Sequence, residues 1–114
     1  MVQSGHVGHT AVIPEELDNT AAHALIMFRE PKEKISPYFV NYELQTDASK
    51  KKIENITTCN TIKHILASEM QEFTIMMPKV EEQVKVGRYF QYLDTLITLH
   101  QRKFYLREIC SFMK

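Results

Sequence analysis

No charge of either sign predominates: 14 Lys and Arg stand against 14 Asp and Glu, for a formal net charge of zero. A chain that coats nucleic acid along its whole length is thereby excluded, because counterion release needs clustered cations. A local basic patch is not. Glycine is scarce, with three residues, and none builds a Gly-rich phosphate loop, so no cofactor is expected. The two cysteines, Cys59 and Cys110, lie far apart and fit free thiols in a reducing cytoplasm better than a disulfide framework. No apolar run approaches the roughly 20 residues of a membrane span. The opening MVQSGHVGHT also lacks the charged-then-apolar pattern of a signal peptide. Neither a Ser–His–Asp or Cys–His arrangement nor a methyltransferase or nuclease motif occurs. Glu15-Glu16 and Glu81-Glu82 are adjacent pairs, and adjacent side chains diverge rather than converge on a substrate. The expectation is a cytoplasmic protein that is not an enzyme.

What remains is ordinary in bulk and uneven along the chain. At 114 residues, with 44% apolar and 25% charged, one ordered globular domain is the natural count. Glycines near the start lead into Ala11, Val12 and Ile13, a pattern for a turn feeding a strand. After the polar turn 14–19, the apolar run from Ala24 to Phe28 reads as a buried strand ended by Pro31. Ser36-Pro37 is a helix start, Ser as N-cap and Pro at the first position, and the helix is expected to reach about Thr46. A second helix follows through Ile56. TTCNT, residues 57–61, reads as a loop. Phe73, Ile75 and Met77 alternate up to Pro78, which is a strand pattern.

From Glu81 to Phe112 there is no proline, and only Gly87 interrupts a long helical pattern. Val86, Phe90, Leu93, Ile97, His100 and Phe104 follow one another at steps of four and three, a heptad seam. Leu96, Leu99, Leu106, Cys110 and Met113 widen the apolar face beyond a strict coiled-coil stripe. Glu81 and Glu82 in the first turn and Lys114 at the end suit the helix dipole. At 1.5 Å per residue such a helix is about 45–50 Å long, against a body of about 25 Å. Much of it is expected to project and to need another helix.

The ordered set Ile65, Met70, Phe73, Ile75, Pro78, Glu81-Glu82-Gln83, Val86, then Leu93-Asp94, Leu96-Ile97 and Arg102-Lys103 resembles the specificity subunit of type I restriction–modification systems. SGHVGHTAVIP and ISPYFVNYEL are similar to parts of that family's target recognition domain. The resemblance runs through nearly the whole chain. It implies a mixed α+β fold: a partial target recognition domain over 1–78, with a small twisted sheet and flanking helices, then a spacer helix over 79–114 that pairs in an antiparallel coiled coil. It implies a chain equivalent to the distal part of one recognition domain, truncated relative to a subunit with two. The implied partners are double-stranded DNA, the modification (methyltransferase) subunit and, through it, the restriction subunit, with homodimerisation through the helix and no membrane. The alternative is an interaction module that dimerises through the helix and has lost DNA binding.

Candidate DNA contacts follow from chemistry that suits base edges and phosphates. Asn60 and Thr61, with Lys63 and His64 beyond them, offer paired donors and acceptors, though 57–61 also reads as a plain connector. Ser4, His6 and His9 offer a hydroxyl and imidazoles on a Gly-flanked turn; two His without a third ligand make a weak metal site, and no metal is expected. Lys50, Lys51 and Lys52 suit phosphates, or form a solvated helix face. The partner interface is assigned to Val86, Phe90, Leu93, Ile97, His100 and Phe104. His100 either sets register as a buried polar group or lies half exposed where the seam frays. Asp94 faces away from the seam, toward a partner subunit.

Overall fold

The computed structural model describes residues 1–3, 6–59 and 63–113, with the side chains of 58, 59, 63 and 110–113 left aside. Four α-helices dominate: α1 (Pro37–Leu44), α2 (Asp47–Ile56), α3 (Ala67–Gln71) and α4 (Val80–Met113). The strands β1 (Thr58–Cys59) and β2 (Lys63–His64) are two residues each and pair antiparallel, Thr58 with His64 and Cys59 with Lys63. The fold is therefore mainly helical, and the expected mixed α+β body with a twisted sheet is corrected.

Local chemistry explains the helices. Ser36 caps α1 by accepting the Phe39 N–H at 3.3 Å, with Pro37 in the first turn. Thr46 joins α1 to α2: its hydroxyl donates to the Glu43 carbonyl at 2.8 Å and accepts the Ser49 N–H at 3.3 Å. One side chain thus closes one helix and opens the next. The Thr57 hydroxyl ends α2 by donating to the Ile53 carbonyl at 2.6 Å. Glu69 reaches back to accept the Leu66 N–H at 3.0 Å and starts α3.

The missing strands also have physical causes. Ala24 and Glu30 take positive φ, 57° and 49°, a conformation that interrupts an extended run at both ends of the apolar stretch. Only Leu25 bridges, to Val2, and Phe28 stays 55% exposed. Along 73–76 burial alternates as in a strand, Phe73 and Ile75 half-buried and Thr74 and Met76 exposed, but Met77 is exposed as well. Among the described residues no strand lies beside them, so there is no ladder. Residues 11–13 likewise form no strand, and β1 occupies part of the stretch read as a loop.

The core is small. Ile26, Ile53, Ile65 and Met70 are buried together, with Met1, Val7, Ile56 and Phe73 packed against them. Backbone bonds stitch the amino-terminal thread across this cluster: Ile26 N–H to Met1 O at 2.8 Å, Gln3 N–H to Ala24 O at 3.0 Å and Ile65 N–H to Gln3 O at 2.9 Å. The Met1 amino group donates to Ile26 O at 2.9 Å, and burial lowers its pKa. The accessible surface is 9790 Å², where a compact monomer of 13.4 kDa would expose about 6,500 Å². The radius of gyration, 17.6 Å, likewise exceeds the roughly 13 Å of a compact chain this long. A projecting helix accounts for both.

Candidate nucleic-acid interface

The turn 6–9 is closed by two backbone bonds, Gly8 N–H to Val2 O at 3.1 Å and Val2 N–H to His9 O at 2.8 Å. Gly8 has φ 92°, and a Cβ there would lie 3.2 Å from Ile53 Cγ2. Glycine therefore lets the turn settle directly on α2. Between turn and helix lies a hollow of about 680 Å³. Val7, Gly8, Leu44 and Ile53 supply its apolar lining, and His6, His9, Gln45, Lys50, Glu54 and Thr57 its polar groups. The His6 and His9 rings meet edge to face, 6.0 Å between centroids. Both residues are exposed, as is Lys50.

The structure thus brings His6, His9 and Lys50 to one place. Lys51 is exposed on α2, off the hollow. Lys52 is committed elsewhere: its Nζ donates to the Thr74 carbonyl at 3.3 Å and lies 5.9 Å from the Phe73 ring centroid. His64 is half-buried in β2. Lys63 sits in β2, but its side chain, with Ser4, Asn60 and Thr61, falls outside the described residues. No group of three His, Cys, Asp or Glu able to hold a metal occurs among the described residues. None of the described helices is long and apolar enough to cross a membrane.

A second constellation fixes α4 on the body. Gln83 is 4% exposed. Its Oε1 accepts the Ser36 N–H at 3.0 Å, and its Nε2 donates to the Pro78 carbonyl at 2.8 Å. The first bond gives α1, from another helix, the acceptor that a capping box takes from within. One turn on, a Cβ at Gly87 would lie 3.3 Å from Phe39 N, Ser36 Oγ and Tyr38 Cβ, so α1 and α4 touch almost backbone to backbone. The Tyr42 ring lies 5.2 Å from Phe90, and its hydroxyl donates to Asp94 Oδ2 at 2.5 Å. Burial first, then the Asp94 hydrogen bond and charge, push the Tyr42 phenol up to about 12. Asp94 accordingly bonds within the chain and does not stand free for a partner.

Gln83, Gly87, Phe90 and Asp94 recur at steps of four, three and four, a face turned about 70° from the heptad seam at 3.6 residues per turn. Sequence reasoning saw the seam and passed over this face, although its spacing and its glycine were the signal. The two faces share Phe90, so packing on α1 leaves most of the seam open. Val86 is 37% exposed, Leu93 half-buried, Ile97 55% exposed, His100 exposed and Phe104 60% exposed. Every residue from Asp94 to Ile109 is exposed.

These parts define a small helical body with a lysine- and imidazole-bearing rim and a projecting helix joined to it at Gln83 and Gly87. The family model for the type I restriction modification DNA specificity domain matches residues 1–104, through the body and most of α4. The chain belongs to that family, and its role is that of a specificity element in a type I restriction–modification system. No curated protein and no solved structure matches it.

Proposed function

We propose that the chain is a non-catalytic DNA-recognition element acting in the cytoplasm. Residues 1–78 form the body that meets double-stranded DNA, and residues 79–114 form the spacer helix that docks the modification subunit and a second copy. The observation that carries this reading is the family match over residues 1–104, through the body and most of α4. The rim supports it: His6, His9 and Lys50 stand together, and Lys51 is exposed elsewhere on α2. Lys50, Lys51 and Lys63 contact phosphates, and residues 60–64 supply groups for base edges. The open seam of α4 supports the docking role, because an apolar stripe beyond the body is covered only by another helix.

Fluorescence anisotropy with a labelled duplex tests the DNA half. Three phosphate contacts give a fall of about 40-fold in affinity between 50 and 200 mM salt. The double variant K50A/K51A is expected to flatten the log–log slope by about two. Absence of binding at low salt overturns the DNA reading and leaves the helix-mediated interaction module.

A further inference from the structure

The hollow beside the 6–9 turn has the wrong shape for reading a stacked duplex. Base edges lie at the floor of a groove, and a protein reaches them with something convex, a helix or a ribbon. A concave surface facing the helix cannot bring its polar groups to them. At about 680 Å³, the hollow falls in the range of sites that enclose a small molecule. Its composition also fits one. Leu44 and Ile53, 5% and 4% exposed, give an apolar floor. The His6 and His9 rings stand edge to face, leaving imidazole faces for stacking. Gln45 and Glu54 offer a carboxamide and a carboxylate for the donors and acceptors of a base edge, and Lys50 offers a cation for a phosphate. Thr10, which also lines the hollow, has a buried Oγ1 with no hydrogen-bond partner.

We infer that this hollow takes one unstacked nucleobase together with its phosphate, the base over the apolar floor and the phosphate at Lys50. Aromatic and imidazole stacking on a base does not depend on its identity, so the site adds affinity wherever a strand offers an unpaired base. The inference rests on the DNA-recognition reading and narrows it to a step that paired DNA cannot satisfy. The same chemistry admits a free mononucleotide as the source.

The test compares three probes on the full chain: a fully paired duplex, the same duplex carrying one bulged 2-aminopurine, and dAMP. Tighter binding of the bulged duplex than of the paired one, by about tenfold or more, with a change in 2-aminopurine emission, supports the site with the strand as source. Binding of dAMP tighter than the bulged duplex supports it with the free nucleotide as source. Gln45 is exposed, so Gln45→Trp narrows the mouth without touching the core. It is expected to abolish the preference for the bulge, with helicity by circular dichroism as the folding control. Equal affinity for paired and bulged duplex, with no dAMP bound, overturns the base site and leaves the DNA-recognition reading standing. Nucleotide bound without any duplex bound does the reverse.

Discussion

At the scale of single residues, the α1–α4 joint concentrates its specificity in a few polar groups. Gln83 is buried and makes two hydrogen bonds. Gln83→Leu removes both and strands the Ser36 N–H and the Pro78 carbonyl, at a cost of about 2–4 kcal/mol, read from urea-unfolding midpoints. Gly87→Ala recovers up to about 1 kcal/mol of helix propensity, but its methyl meets backbone and a Cβ at 3.3 Å, atoms with little room to yield. Gly87→Leu is the clearer test and is expected to cost about 1–3 kcal/mol. Tyr42 carries a pH signature. Its folded pKa, about 12, lies above the ordinary value of 10. The folded state thus holds this proton after the unfolded chain has released it. The contribution is complete below pH 10 and is lost as pH rises toward 12. Melting curves across that interval are expected to fall more steeply for the wild type than for Tyr42→Phe. Absorbance at 295 nm should show one tyrosine titrating late, absent from the variant. Lys52, tied to Thr74 and Phe73, is expected to leave the salt slope of DNA binding unchanged on mutation to Ala, unlike Lys50 and Lys51.

At the scale of elements, what was legible in the sequence was what is decided locally. Ser36-Pro37 announced α1 because a cap and a fixed φ act within one turn. The second helix ended at Ile56 as its pattern indicated. The long helix was legible because 34 residues carry a helical period without a proline. The strands failed for the opposite reason. A strand needs a neighbour as well as a pattern, and Phe73 to Met77 has the alternation without the neighbour. The run from Ala24 to Phe28 is apolar, but its backbone turns left-handed at Ala24, which composition does not reveal. The candidate site was half legible. His6, His9 and Lys50 were each singled out by chemistry. Their convergence on one hollow depends on Gly8 settling on Ile53, a contact between distant parts of the chain. Gln45 and Glu54 were passed over, and Gln83 was noted only within the Glu81-Glu82-Gln83 signature, because nothing local distinguishes a solvated polar residue from one a fold places at a site.

At the scale of the whole molecule, the excess of exposed surface is the central fact. A body with so few buried apolar residues carries a helix with Ile97, Leu99, Phe104 and Leu106 all about half exposed or more. Because α4 packs on α1 through a face adjacent to the heptad seam, the joint holds the helix while leaving the seam for another helix. Substituting Ile97 and Phe104 by Asp is expected to convert a dimer to a monomer in sedimentation equilibrium, with body helicity retained. The most direct test is amide hydrogen exchange along α4 as a function of protein concentration. The account predicts that 80–94 are protected at every concentration, since α1 packs along one face of this segment, and that protection of 95–109 rises with concentration as the seam is covered. Protection of 95–109 equal to that of 80–94 in the dilute monomer would contradict it.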